Sequence, residues 1–448
     1  MIEGSRFRGL SRREFLVLGA GTGAGLVLAG CGGGPENNPA AGGGGGDGGR
    51  TYDGPRVELA FWNGFTGGDG PFMRQLVEQF SSENENIQVS MNTVEWADYY
   101  QQVPAAVRSG EGPDVGIMHS DQLGTNAARG VILQLDDVAD ALDLAESDFA
   151  QEVWNAGIYN DVRYGIPLDI HPLGLYYNKS MLEEAGLDPE SPPQNFDDYM
   201  AALEELKGAG IQGHWVSPFP FTGTLTFESL LWQFGGDLYN EDVTQATFNS
   251  DAGVEALTWM VDLVREEHSP RDVAQDAETV AFQNGDNAFM WNGIWQINTL
   301  NEVEGLDWGV APVARIGSED AVWAGSHNFV IMNKPSQDQN KVQASRVFIN
   351  WISQQSGAWA EAGQIPARAS VRESEEFQSL EEQSTLAEQV PYVNFVPAVP
   401  GIGDVQPTTF DQAVNEAVLL RKEPQAALDE AAERADRLLE ENRERYEA

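Results

Sequence analysis

Residues 164–189 read YGIPLDIHPLGLYYNKSMLEEAGLDP and lie near the middle of a 448-residue chain. Two X-Pro steps, Ile166-Pro167 and His171-Pro172, bias the residues before them to extended backbone. An aromatic, β-forming run follows from Leu173 to Tyr177, and a short helical pattern ends at Gly186. A segment this apolar and extended, at mid-chain in a protein of this length, reads as a strand crossing between two lobes. The length allows two or more domains with sizeable cores.

Charge narrows the partners. Acidic residues number 70 against 26 basic ones, giving a net charge of −44, and only five of the basic residues are Lys. The acidic groups are spread along the whole chain, which makes a hydrated, self-repelling surface that stays soluble at high salt. A salt-adapted source is expected on that basis. Nucleic acid is a poor partner, because phosphate binding needs a basic footprint. One cysteine, Cys31, excludes an intramolecular disulfide and a thiolate metal cluster.

Residues 1–30 read as an export signal. Arg6, Arg8, Arg12 and Arg13 head a Gly-rich apolar run that is shorter than the ~20 residues of a membrane-spanning helix. Ser11-Arg12-Arg13-Glu14-Phe15-Leu16 resembles a twin-arginine signal. Leu28-Ala29-Gly30-Cys31 resembles a lipobox, which implies lipid on Cys31 as the first mature residue and a membrane anchor through it. Residues 31–55 are then a flexible Gly/Pro/Asn tether that cannot bury a core.

From residue 56 the pattern is β-α-β-α-β, with strands expected at 57–61, 87–91 and 114–118. Helical spacing links Phe72, Met73, Leu76, Val77 and Phe80 between the first two strands. A second helical stretch, 96–108, is interrupted by Pro104. In parallel α/β sheets the loops at the carboxyl ends of strands face ligand. Here those loops hold Trp62, Asn63, Phe65, Thr66 and Asp69, and then His119, Ser120 and Asp121. Aromatic faces mixed with short hydrogen-bonding groups suit a sugar, whose C–H faces stack on rings while its hydroxyls need polar partners. Trp232 is a further candidate ligand contact, in a later aromatic-rich stretch that is mostly core by its spacing.

Several motifs in register carry a resemblance. Gly112-Pro113-Asp114-Val115, the run 130–136, Tyr164-Gly165 through Leu175-Tyr176-Tyr177-Asn178-Lys179, the run 281–295, the run 323–331 and Gly363-Gln364-Ile365-Pro366-Ala367-Arg368 together resemble the sugar-binding group of extracellular solute-binding proteins of ABC importers. The resemblance covers about residues 56–445. It implies an α/β, two-lobed, periplasmic-binding-protein-like fold with an interlobe ligand cleft. The lobes expected are residues 56–165 plus 310–360, and residues 166–309 plus 361–448, with a strand near 308–312 returning towards the first lobe. Crossings are expected near 160–175, 305–325 and 355–370.

The resemblance places Asp169 and His171 at the cleft mouth, although a Pro-flanked His can equally be a hydrogen-bonded strut. At least one of Trp291 and Trp295 is expected over the ligand beside Asn292, with Ser326 and His327 on a strand near the hinge. Arg368 either donates to a ligand hydroxyl or braces the interlobe turn. The function implied is capture of a mono- or oligosaccharide outside the cell by a monomer. Lobe closure on the sugar then leads to delivery to an ABC permease with its cytoplasmic ATPase. No cofactor, metal or catalytic group is expected. The five His show no metal-ligand spacing, and neither a G-x-S-x-G elbow nor a Walker loop occurs. The rival is a secreted, lipid-anchored glycoside hydrolase, which would need two carboxyls about 5–10 Å apart. No motif singles out such a pair among so many acids.

Overall fold

The computed structural model describes residues 50–446. The export signal, Cys31 and most of the tether lie outside the described residues. Thirteen strands occur among those residues: β1 (Val57–Asn63), β2 (Ile87–Thr93), β3 (Val115–His119), β4 (Ile158–Tyr159), β5 (Val162–Arg163), β6 (Ile166–Pro167), β7 (Asp169–Asn178), β8 (Phe289–Gly293), β9 (Trp308–Ala311), β10 (Val322–Gly325), β11 (His327–Ile331), β12 (Ile365–Pro366) and β13 (Val393–Asn394). They form two principal sheets with helices packed on them, a two-lobed α/β architecture, plus the small β4–β5 hairpin.

The first sheet has the order β2-β1-β3-β11-β6. β1 is parallel to β2 and β3, as right-handed β-α-β crossovers require. Helix Gly70–Glu83 makes the first crossover and buries Met73, Leu76, Val77 and Phe80, the apolar stripe visible in the sequence. Helix Trp96–Ser109 makes the second and runs through Pro104 without a break, since proline removes only one ladder hydrogen bond there. It ends at Gly110, whose φ of 81° is the left-handed cap that glycine adopts without a Cβ penalty.

The second sheet is built around β7, all ten residues of which are buried. β7 pairs with β12 at Asp169 and Ile170 and with β10 at His171 and Pro172. Its second half pairs with β8 over Leu173–Tyr177 and with β9 over Leu175–Asn178. A strand covered on both faces is apolar wherever its side chains lack hydrogen-bond partners, which accounts for the run Leu173–Tyr177 read at mid-chain. β9, expected to return towards the first lobe, instead stays on β7. The apolar far end of β7 takes it as a ladder partner and the chain gains four more paired residues.

The chain passes between the sheets three times: at Leu168 between β6 and β7, at Ser326 between β10 and β11, and between Trp359, in the first core, and β12. Leu168 bonds to the other two passages. Its N–H donates to the His327 carbonyl (2.8 Å) and its carbonyl accepts from the Ala367 N–H (3.2 Å). The C-terminal helix Pro424–Tyr446 is not wholly solvated, because Ala427, Leu428, Ala431, Ala435 and Leu439 pack on the second core. Among the described residues, no helix is long and apolar enough to cross a membrane.

Asp114, in the Gly-Pro-Asp-Val motif, shows how the scarce lysines are used. Its buried carboxylate accepts the Ala60 N–H of β1 (2.9 Å) and pairs with the ammonium groups of Lys334 and Lys341. Removing one side of a buried, hydrogen-bonded charge cluster leaves the other side uncompensated. Asp114→Ala should therefore lower the unfolding free energy by about 3–5 kcal/mol. A urea titration of the variant against wild type measures this, and a change below about 1 kcal/mol would show that the cluster carries no such weight.

Candidate functional site

β7 begins with the carboxylate that joins all three passages. Asp169 is fully buried and accepts four N–H groups. These are Nδ1–H of His171 (3.1 Å), Nδ1–H of His327 (2.9 Å to Oδ2), the backbone N–H of His327 (3.0 Å) and Nε1–H of Trp359 (2.8 Å). Burial alone would push this carboxyl up. The facing imidazoles of His327 and His171 and their hydrogen bonds outweigh it, and the group is held well below the ordinary carboxylate range. An ionised carboxylate only accepts, so Nδ1 of both rings carries a proton, and the neutral His171 ring keeps a lone pair on Nε2.

Strand register gathers the histidines. β11 runs antiparallel to β3 with His327 directly opposite His119, and β10 runs antiparallel to β7 with Gly325 opposite His171. Since only Ser326 separates Gly325 from His327, the three rings meet where the sheets join. Ring centroids are 4.1 Å apart for His171–His327, 4.8 Å for His119–His327 and 5.5 Å for His119–His171. The Tyr100 hydroxyl accepts the His119 backbone N–H (2.9 Å) and pairs with its Nδ1 (2.6 Å). Burial, reinforced by the neighbouring imidazoles, lowers His171 to about 4 and holds His119 well below the ordinary range, so both rings are neutral at pH 7.

Aromatic rings wall this cluster. Trp96 stacks on His327 (5.5 Å, 18°) and meets His119 edge-on (4.4 Å), while Phe65 is wedged between Trp96, His327 and Trp359. Trp295 and Trp323 approach His171 from the second lobe at 6.2 and 5.8 Å. Trp96, Trp295, Trp323 and His119 all keep part of their surface exposed. Gly67, in the loop after β1, faces Trp295 across the seam, and a side chain there would sit 3.9 Å from the Trp295 Cβ.

The other expected residues divide between seam and core. Asp69 lies at the seam, where its Oδ2 accepts Nε2–H of Gln364 (3.2 Å) and its Oδ1 is buried without a partner. Burial pushes its carboxyl up to about 6, with His327 pulling the other way. Ser120 and Ser326 are bound to each other through backbone, the Ser120 N–H donating to the Ser326 carbonyl (3.0 Å). Asn63 is buried and its Oδ1 holds the loop by accepting from the Phe65 N–H and the Thr93 hydroxyl. Trp62 is partly exposed on the first lobe, Thr66 is exposed, and Asp121 is half-buried with its carboxyl raised by burial.

Three expectations need correction, and the alternative left open for Arg368 is decided. Trp291 is not at the seam but in the second core, packed among Tyr199, His214 and Trp259. Trp232 belongs to the same core, its indole N–H directed at Asp237. Asn292 is spent internally, on the Thr279 hydroxyl and the Gly293 N–H. Arg368 pairs with Asp148 (2.8 Å) and so braces the turn. Trp291 and Asn292 lie on β8, all five residues of which are buried, and Trp232 lies in helix Thr222–Gln233, buried throughout from Gly223 to Gln233. Residues not singled out from the sequence are Trp96, Tyr100, Trp323, Trp359 and Gln364. Trp96 was within reach of the carboxyl-end rule, since it follows β2 by three residues. Trp359 and Gln364 reach the site through pairings that leave no local pattern.

A two-lobed α/β protein whose strand-end loops converge on an aromatic-walled seam is of the solute-binding class. The chain belongs to the bacterial extracellular solute-binding protein family, whose model matches residues 75–385. It is 24% identical over 412 residues to the sn-glycerol-3-phosphate-binding periplasmic protein UgpB of Escherichia coli (strain K12), covering 85% of this chain and 92% of that one. It is 22% identical over 382 residues to a binding protein of Brucella abortus (strain 2308), covering 83% and 90%. Among solved structures, the GacH receptor of Streptomyces glaucescens GLA.O, determined unliganded and with acarbose, superimposes with a TM-score of 0.77 at 22% identity, over 86% of this chain and 99% of that one.

Asp169→Asn tests the junction. A carboxamide offers one accepting oxygen in place of two, so about two buried N–H donors lose their partner at about 1–3 kcal/mol each. The variant should lose about 2–6 kcal/mol of stability by chemical denaturation, and the second and third passages should show faster backbone amide exchange. Wild-type exchange at His327 and Ala367 would refute the role of Asp169.

Proposed function

We propose that the protein is the substrate-capturing component of an ABC importer for a mono- or oligosaccharide. The supporting observation is the make-up of the seam. Partly exposed indoles from both lobes (Trp96, Trp295 and Trp323) surround hydrogen-bonding imidazoles and carboxyls, which is what flat C–H faces and hydroxyls require. No Lys or Arg is among the seam groups described above. A neutral polyol therefore suits the site better than the phosphate-bearing ligand that names the Escherichia coli relative. The GacH receptor, with acarbose bound, supports the same choice.

Capture works by population shift. A sugar that touches both lobes stabilises the closed arrangement by its differential affinity, with the three passages as the hinge. The closed form then docks on the membrane permease. Family membership favours binding over hydrolysis, and so does the fully engaged state of Asp169, which has no oxygen free to attack or protonate a glycoside. Lipid on Cys31, export by the twin-arginine route and a monomeric state complete the proposal, with residues 31–55 as the tether from the outer face of the membrane. Asp69, His119, His171, His327, Trp295 and Trp323 are the proposed sugar contacts.

A thermal-shift panel of mono-, di- and oligosaccharides in high salt tests the ligand class, since a sugar at 100 times its Kd adds about 2.7 kcal/mol. Trp295→Ala should weaken the best sugar about tenfold or more, the cost of losing a stacking face. A flat response across the panel, with reducing ends released from a glycoside, would favour the hydrolase. Cys31→Ser should move the protein from the membrane fraction to the soluble fraction and abolish lipid labelling. Retention of both would overturn the anchor.

A further inference from the structure

We propose that His119, His171 and His327 form a binding site for a first-row divalent transition metal of the zinc type. One nitrogen of each ring lies within 4.8 Å of one on each of the others. The outer arrangement is what such a site needs. A metal-binding imidazole offers one nitrogen to the ion and gives the other to a carboxylate or another oxygen that fixes the ring. Here Nδ1 of His171 and of His327 share Asp169, and Nδ1 of His119 meets the Tyr100 hydroxyl. With Nδ1 engaged on each ring, Nε2 is the nitrogen left to face the ion.

A second observation points to a missing partner. Nε2 of His171 is buried and without a hydrogen bond, and a buried lone pair left unpaired is destabilising. The backbone beside it is Gly325, where a Cβ would stand 2.2 Å from Nε2. Gly325 has no positive φ to explain it, so the His171 ring packed against its Cα is what excludes a side chain there. Zn–N bonds of about 2.0–2.1 Å at tetrahedral angles put ligand nitrogens about 3.4 Å apart. Loading therefore draws the rings inward, chiefly His119, whose ring is partly exposed.

Imidazole ligands suit zinc, copper or nickel, and three of them leave a fourth position for water or a ligand oxygen. His119 and His327 stand on strands of the first sheet and His171 on the second, so the ion would tie the lobes together. The inference does not depend on the sugar reading, and its test contains no sugar.

The untagged full chain carrying Cys31→Ser, which removes the only thiol, is stripped with a chelator. It is then titrated with Zn²⁺ by calorimetry and with Co²⁺ by visible absorption. The expected result is one ion per chain, with the intense visible bands of four-coordinate Co²⁺. His119→Asn should weaken Zn²⁺ about tenfold to a hundredfold, with His171→Asn as a second variant if the first misfolds. Glu204→Gln with Glu266→Gln, which disables the exposed carboxylate pair beside His268, should leave the affinity unchanged. Absence of saturable one-to-one binding would overturn the site. So would binding insensitive to His119→Asn, or binding lost in the glutamine double variant.

Discussion

A buried carboxylate that accepts four N–H groups from three separate passages of the chain is a demanding piece of chemistry. Taken out of water, the Asp169 charge is costly unless each oxygen is fully paired. The partners that pair it are His171 on its own strand, His327 on the second passage and Trp359 leading into the third. None can move far without orphaning the charge. The junction of the two sheets is therefore set by one group's need for donors, and Leu168, bonded to the carbonyl of His327 and the N–H of Ala367, repeats the same tie in backbone.

Positive charge is used with similar economy. The chain carries 70 acidic residues and five lysines, and every lysine is engaged. Lys334 and Lys341 meet on Asp114, Lys179 pairs with Glu190, Lys422 with Glu416 and Glu430, and Lys207 donates to the Glu266 carbonyl. Cations sit where chain segments must be joined, and the excess negative charge is left to the solvated surface. Exposed pairs contribute little, near 0–1 kcal/mol each. Asp114 differs because it is buried and also holds a backbone N–H of β1.

What could be read from the sequence follows the range of the interaction. Met73, Leu76, Val77 and Phe80 show a helix face because their contacts recur every turn, and β7 is legible because burial on both sides leaves the run Leu173–Tyr177 without a charged residue. The loops after β1 and β3 could be nominated from strand order alone. Side-chain direction could not. Trp291 and Trp295 lie four residues apart, and whether either meets the seam depends on strand β8 ending at Gly293, with the chain turning so that the Trp295 ring packs over that glycine. The histidine trio was hidden for a stronger reason: 52 residues separate the first two members and 156 the next two, and only the pairings His119–His327 and Gly325–His171 bring them together.

Those pairings also link hinge to site. In the proposed function, the imidazoles that face the solute hang from the carboxylate that joins the passages, so whatever occupies the seam acts on the hinge through one or two bonds. A ligand engaging Nε2 of His171 or His327 pulls on rings whose Nδ1–H groups hold Asp169, and strengthens those bonds by polarisation. Opening the lobes would work against the same bonds. Only a ligand or ion that holds His171, on the second sheet, together with His119 or His327, on the first, resists that opening directly, because His327 and His119 share a sheet and move together. His171 is thus the residue through which occupancy of the seam bears on closure, and Gly325, which makes room for its ring, is the position where any added side chain would act on the hinge and the site together.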